Sequence, residues 1–435
     1  MLHGGVSTGL VLIRGRLRGF DPRSIQSTLP RVDVLPKTPG GPTAGAVPTV
    51  LVVVGTRPEA IKMAPVYEAL RARSEVDAQL VLTGQHTDLV DQVMERFGLR
   101  ADHDLELMRP GQTLYDVAHG CLDGLREVFQ QTKPGAVLVQ GDTATVAFAA
   151  LTGFFEKVLV GHVEAGLRSG DKWAPWPEEI FRRLTDVLTD WYFAPTVRSA
   201  EHLLKENVPA HQVFVTGNPV VDALTSLDEN RPVGDTTLDA ALRRRRAGEG
   251  ELALVTLHRR ESFGQPILDA LGGILDLVEA EPDLHVVYPV HPNPNVRGPA
   301  HEVLGGHPRI DLLDPVDYFD LMAVVRWADL VLTDSGGIQE EAPSFGTPVL
   351  VLREVTERPE GIEAGAAELV GTDRARILTR GRELLAEARA GSAERTALNP
   401  YGDGLAGERI ADIVVNALTD TPRTTTDWQP ARADS

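Results

Sequence analysis

Short apolar runs recur along the chain, separated by longer stretches of helical period. The runs are Thr49–Val54 (TVLVVV), Ala78–Leu82, Ala136–Val139, Lys157–Val160, Ala253–Thr256, His285–Pro289, Leu330–Leu332 and Pro348–Leu352. Between them, Glu59–Arg71, Asp88–Phe97 and Thr113–Gln130 repeat apolar residues at helical spacing. A strand that is apolar on both faces has to be covered on both faces. The alternation therefore predicts parallel sheets flanked by helices. The series restarts after a polar, arginine-rich stretch around Asp228–Gly250. This predicts an α/β protein of two doubly wound domains, residues 48–217 and 218–399, with a hinge near Gly217–Pro232. In such sheets ligands bind at the carboxyl ends of the strands. With two facing domains, that places the site in the cleft between them. Residues 1–47, ending in PKTPGGPTAGAV, carry no sustained period and read as a flexible extension. Residues 420–435 read as a flexible tail in the same way.

Composition narrows the function. The chain has 435 residues, 42% of them hydrophobic and 24% charged, with a net charge of −19. A phosphate backbone demands a basic face, so a general nucleic-acid or anionic-membrane binder is disfavoured. A small anionic ligand needs only a few local donors and stays open. Cys121 is the single cysteine and forms no internal disulfide, which fits a reducing compartment. No run approaches the ~20 apolar residues that span a bilayer. The N-terminus lacks the order of a signal peptide. A cytoplasmic enzyme is the expectation.

Polar clusters follow the strands. In GTRPEAIK (Gly55–Lys62), a glycine and Pro58 open a helix close to Arg57 and Lys62, which suits a phosphate at a helix N-terminus. In QGDTAT (Gln140–Thr145), Asp142 stands where an N-cap would, and from the residues alone capping explains it better than chemistry does. GHVEAGLRSGDKWAPWPEE (Gly161–Glu179) supplies Glu164 directly after a strand and Glu178 and Glu179 at a helix start. Trp173, Pro175, Trp176 and Pro177 would build an apolar wall able to raise a carboxyl pKa. Carboxylates in unlike environments make an acid/base set. LHRRESFG places His258 beside Arg259 and Arg260, and YPVHPNPNV carries His291. In LTDSGGIQEEAPSFG, Ser335, Gly336 and Gly337 offer backbone N–H groups to a diphosphate. Glu341, about one and a half turns later, could accept a ribose diol. A solvent-facing acidic first turn is the alternative account of the glutamates.

Other chemistries find little support. The chain has no CxxC or HExxH, and its histidines lack ligand spacing, so no metal is expected. It has no GxSxG elbow, and Cys121 lies inside a helical pattern. No Walker A or GxGxxG sequence follows the first strand, which disfavours ATP, NAD or FAD.

Taken in order, GTRPEAIKMAPV, TGQHTDLVDQV, QGDTAT, GHVEAGLRSGDKWAPWPEE, TGNPVVDAL, LHRRESFG, HPNPNV and LTDSGGIQEEAPSFGTPVLVLREVTERPEG resemble the non-hydrolysing UDP-N-acetylglucosamine 2-epimerases of bacteria. The resemblance runs from about Leu51 to about Leu418. It implies a GT-B-like fold of two Rossmann-like domains, with a C-terminal helix (about 400–419) crossing back to the first. It implies interconversion of UDP-N-acetylglucosamine and UDP-N-acetylmannosamine, by anti elimination of UDP to a 2-acetamidoglucal and re-addition, with no cofactor. Matched residue by residue, Arg57, Lys62, His258, Ser335, Gly336, Gly337, Glu341 and Arg358 fall on UDP-contacting positions. Asp142, Glu164 and Glu178 fall on acid/base positions, with His258 beside them in the catalytic set. The resemblance also implies a second UDP-N-acetylglucosamine bound as an activator, near Gln85, His86, Gln112, Arg259 and His291, and a homodimer.

Three positions depart from the family pattern. Phe181 stands where an amide is frequent, Pro219 where threonine is frequent, and Val316 where an amide can meet the uracil. They point toward a specialised amino-sugar pathway. Three other readings stay open: a hydrolysing 2-epimerase, a GT-B glycosyltransferase, and a silent sugar-nucleotide-binding protein.

Overall fold

In the computed structural model, residues 47–84, 87–109, 111–228, 232–390 and 399–430 are described. The expected N-terminal extension, apart from Val47, lies outside them. Among the described residues, thirteen strands make two sheets. The first contains β1 (Thr49–Val54), β2 (Asp77–Leu82), β3 (His103–Asp104), β4 (Ala136–Gln140), β5 (Leu159–Val163), β6 (Trp191–Ala194) and β7 (Val213–Val215), in the order β3-β2-β1-β4-β5-β6-β7. The second contains β8 (Glu251–Thr256), β9 (Leu284–Pro289), β10 (Ile310–Leu313), β11 (Leu330–Thr333), β12 (Val349–Val351) and β13 (Ala367–Leu369), in the order β10-β9-β8-β11-β12-β13. Every pairing is parallel. The central strands β1, β4, β5, β8 and β11 are buried almost end to end, as helices on both faces require. Strand order reverses beside β1 and β4 in the first sheet and beside β8 and β11 in the second. These are the switch points where ligands bind.

Two local expectations are corrected. The run Lys157–Val160 is not a strand from its start. Lys157 adopts φ +61° and caps the helix Ala144–Glu156, so β5 begins at Leu159 and carries Gly161 and His162 instead. The tail is not loose over its described part. Trp428 is buried, and its N–H donates to the Val215 carbonyl at 2.7 Å. The Asp412 carboxylate accepts the N–H groups of Thr424 and Thr425. The tail thus lies along the open edge of β7, whose free backbone groups would otherwise face water or another strand.

The chain crosses between the sheets twice at one place. It leaves through Gly217 and Asn218 and returns through Tyr401 and Gly402. The Asn218 N–H donates to the Tyr401 carbonyl at 2.7 Å. Gly217, at φ +85°, lies so close that an added Cβ would come 3.3 Å from the Gly402 Cα. The final helix, Ala406–Thr419, then packs on the helices Arg57–Arg71 and Pro219–Thr225. Its Gly407 N–H donates to the Asp222 carboxylate at 2.8 Å.

Candidate functional site

The first sheet contributes three strand ends. After β1, Gly55 turns the chain where any Cβ would collide with the hydroxyls of Thr83 and Thr145. The helix Arg57–Arg71 follows. Its Glu59 is buried and accepts from the Gly55 N–H at 2.7 Å, the Thr56 hydroxyl at 2.9 Å and the Thr143 hydroxyl at 2.8 Å. Burial pushes this carboxyl up to about 7, against the pull of those donors. Glu59 therefore ties the β1 station to the β4 station. One turn further along, Lys62 points into the cleft. Arg57 lies 5.8 Å from the ring centre of Tyr318, which belongs to the second sheet's domain.

After β4, Asp142 is not the helix cap. Thr143 is, its hydroxyl accepting from the Val146 N–H. The Asp142 carboxylate instead pairs with Arg182 of the helix Glu178–Leu188. After β5, Glu164 sits at φ +67°, an uncommon conformation for a residue with a side chain. Its carboxylate accepts from Lys62 Nζ at 2.6 Å, from the Gln140 amide, and from Asn218 Nδ2 at 3.3 Å.

Glu178 and Glu179 separate in role. Glu179 is fully buried and accepts the N–H groups of Ser169 and Gly170 and the Arg182 guanidinium at 3.3 Å, so it holds the loop together. Glu178 has one carboxylate oxygen buried with no hydrogen-bond partner among the described residues. The expected tryptophan wall is not formed. Trp173 and Trp176 are 67% and 59% exposed and turn to solvent. Phe181, expected near Glu178, packs into the core against Phe148, ring centres 6.1 Å apart, and offers that carboxylate no donor.

In the second sheet's domain, Asp334 is completely buried at the end of β11. It accepts the N–H groups of His258 and Arg259 and faces His258 Nδ1 at 3.1 Å. This orients the His258 ring, which stacks on His291 with centres 6.0 Å apart. Ser335 caps the short helix Gly336–Glu341. A Cβ on Gly336 would sit 3.4 Å from Arg259 and 3.9 Å from Arg358, so both guanidiniums converge over this helix start. Glu341 is buried above Gly337 and accepts the Tyr318 hydroxyl at 3.0 Å. Burial pushes its carboxyl up to about 7, with Glu340 adding to the effect and Tyr318 opposing it. Gln112 donates to the Leu107 carbonyl. Gln85 and His86 lie outside the described residues.

The residues that sequence reading passed over are Glu340, Asn218, Gln140 and Asp334. Glu340 is the centre of the site. It pairs with Arg358 on one side, lies 3.6 Å from Lys62 on the other, and accepts from Asn218 at 3.3 Å. The result is a row of alternating charge, Glu164–Lys62–Glu340–Arg358, that runs from one lobe to the other. Burial alone would lower the Lys62 ammonium, but Glu164 and Glu340 outweigh it and hold it above the usual range. Burial would raise Glu340, but Arg358 and Lys62 hold it down. Lys62, Glu340 and Arg358 are thus charged near neutrality. Two cations, a capped glycine helix start and several carboxylates share one cleft. Among the described residues no cluster could hold a metal ion, and no helix is long and apolar enough to cross a membrane.

Two parallel sheets joined by a double crossing, with cations and a glycine-rich helix start in the cleft, define a GT-B-like protein. A glycotransferase of kitacinnamycin shares this fold at 16% identity and a TM-score of 0.56, covering 85% of this chain and 99% of its own. The profile of UDP-N-acetylglucosamine 2-epimerases matches residues 68–415. The UDP-N-acetylglucosamine 2-epimerase of Yersinia pestis is 46% identical over 370 residues, 84% of this chain and 98% of that one. The crystal structure of UDP-GlcNAc 2-epimerase from Neisseria meningitidis bound to UDP-GlcNAc is 40% identical with a TM-score of 0.74, covering 86% of this chain and all of that one. The chain belongs to the UDP-N-acetylglucosamine 2-epimerase family.

The row of charge yields a stability prediction. Glu340→Gln leaves Lys62 and Arg358 sharing one carboxylate, Glu164. Removing one partner of a buried pair costs about 3 kcal/mol, the lower end applying because both cations keep some contact with water. Urea unfolding of the variant at pH 7.5 should show this loss. An unchanged midpoint would mean that the row contributes nothing.

Proposed function

We propose that this chain inverts C2 of UDP-N-acetylglucosamine without hydrolysing it, giving UDP-N-acetylmannosamine. The observation that carries the proposal is the placement of Glu164 against Lys62 within the row that ends on Arg358. This sets a carboxylate beside cations able to hold a departing diphosphate. In the forward step a carboxylate takes the C2 proton, the C1–O bond to UDP breaks, and a C1=C2 double bond forms. Lys62, Arg57 and Arg358, with the N–H groups of Gly336 and Gly337 and the Ser335 cap, stabilise the leaving diphosphate. His258 stands beside them, and Glu341 takes the ribose diol. In the return step a second carboxylic acid delivers a proton to the opposite face of C2, and the UDP oxygen adds back at C1. Asp142, Glu164 and Glu178 are the acid/base candidates. Retention of UDP by this grip is what makes the reaction non-hydrolysing. No cofactor is needed, because the same atoms leave and return. Arg259, after β8, and His291, after β9 with its ring stacked on His258, support a second UDP-N-acetylglucosamine bound as activator. Phe181, turned into the core, offers Glu178 no donor, and with Pro219 and Val316 it supports the reading of a specialised amino-sugar pathway.

Proton NMR of UDP-N-acetylglucosamine with the protein in D₂O tests the reaction. Loss of the C2 proton signal and a new UDP-N-acetylmannosamine anomeric signal are expected. Free N-acetylmannosamine and UDP would identify a hydrolysing enzyme instead. Asp142→Asn and Glu164→Gln should each lower turnover by ~10²-fold or more while keeping UDP affinity.

UDP affinity should depend on pH through Glu341. Burial raises its pKa to about 7 in the free protein, and accepting both diol hydroxyls favours the ionised form. Binding below that value must expel a proton, so affinity measured by calorimetry should fall as pH drops from 8 to 6. Glu341→Gln should flatten the profile, and an unflattened profile would remove Glu341 from the ribose.

The homodimer reading finds support in an exposed apolar stripe. Ile180, Leu184 and Val187 face solvent on the helix Glu178–Leu188, which packs beside the helix Ala144–Glu156 bearing exposed Phe154 and Phe155. Such a patch on a soluble protein marks an interaction surface. Light scattering should give twice the chain mass, and Val187→Glu should halve it. A monomeric wild type at micromolar concentration would sink the assignment.

A further inference from the structure

We propose that His162 is a positioning residue for the epimerisation: through Gly141 and Asp186 it fixes Asp142 relative to the helix that carries Glu178. This rests on the reading of Asp142 and Glu178 as acid/base groups. His162 lies on β5, completely buried and two residues before Glu164. Its Nδ1 meets the Asp186 carboxylate at 2.7 Å, and its Nε2 meets the Gly141 carbonyl at 2.8 Å. A carbonyl only accepts. Asp186 also only accepts, because its carboxyl stays ionised: burial would raise it, but His162 and then Arg168, 2.6 Å away, hold it below the usual range. The His162 ring thus bridges two acceptors, the Asp186 carboxylate on one side and the Gly141 carbonyl on the other.

What it bridges gives the arrangement a purpose. Gly141 immediately precedes Asp142 in the chain. Asp186 follows Arg182 by four residues, about one helical turn. Arg182 in turn holds the Asp142 carboxylate. The links close into a ring: Asp142, Arg182, the helix, Asp186, His162, Gly141, and back to Asp142. Glu178 begins that same helix, so the ring sets its separation from Asp142. The turn needs such a fixture. Gly141 sits at φ +87°, where a glycine moves freely, and its own N–H is held by the Val163 carbonyl at 3.1 Å. Neither Lys62 nor Arg358 belongs to the ring, so the diphosphate grip is separate from it. A displacement of about 1 Å between reacting groups slows catalysis by on the order of 10²-fold.

A simpler account is a buried His–Asp pair that only holds a helix to a sheet. Two variants separate the accounts. His162→Gln keeps a donor for the Gly141 carbonyl and loses the one for Asp186. Asp186→Asn keeps the shape and removes the charge. If the ring acts as a unit, each variant lowers kcat by ~10-fold or more, while KM and the Kd for UDP stay within about twofold. The double variant should then cost no more than the worse single one, because residues in one network are not additive. Costs that multiply, a kcat unchanged in folded variants, or a KM and Kd that rise with the loss would overturn the proposal. Circular dichroism establishes folding, and if His162→Gln does not fold, Asp186→Asn decides by the same kcat and KM readout. Asp142→Asn, run in parallel, tells the two readings apart. If it keeps full activity, the acid/base reading itself fails. If it is inactive while both ring variants are normal, only the positioning role fails.

Discussion

Burying four charges between two lobes is unfavourable unless each meets its opposite, and the row Glu164–Lys62–Glu340–Arg358 meets that condition by alternation. Everything else in the cleft is arranged around it. Lys62 comes from the helix after β1, Glu164 from the end of β5, Glu340 from the helix after β11, and Arg358 from the loop after β12. The strand order of each sheet brings these ends together at its switch point. Fold and site are therefore one fact: the parallel sheets supply the convergence, and the opposed charges make the convergence tolerable.

The row also explains why a cleft lined by cations and a glycine-rich helix start is crowded with glutamates. Glu340 and Glu341 are neighbours in sequence but do different work. Glu340 belongs to the cations, whereas Glu341 is buried against Tyr318 without a cation among its hydrogen-bond partners. One carboxylate is held down because cations flank it, and the other is pushed up to about 7 because burial outweighs the groups that oppose it. Adjacent identical residues thus acquire opposite electrostatic characters from their environments.

Most of the architecture was legible from apolar runs, because the central strands are buried on both faces and read as continuous. The strands that escaped notice have other reasons to be strands. β6 is WYFA, aromatic rather than β-branched, and β3, β7, β10 and β13 are short edge or near-edge segments with partial burial. The candidate site was legible where a residue type stood near a strand end that the fold brings to the cleft, as with Lys62, Asp142, Glu164 and His258. Glu340 was not, since nothing local distinguishes it from Glu341; its identity depends on Lys62, which lies 278 positions earlier in the numbering and in the other lobe. The tryptophans misled for the converse reason. Residues that would make a wall if turned inward are turned outward, and a linear pattern carries no direction for a loop. The tail misled because Trp428 is held by a strand edge rather than by any period of its own.

The double crossing places Asn218 at two points of leverage at once. Its backbone joins the outgoing and returning segments, and its side chain touches both Glu164 and Glu340. A rotation of one lobe about that crossing would sweep the far rims through large arcs while leaving the charged row almost still. The chemistry then sits at the fulcrum of the molecule rather than at the tips of its jaws. Opening to admit a nucleotide and keeping reactive groups in register are therefore demands made on different radii of the same movement.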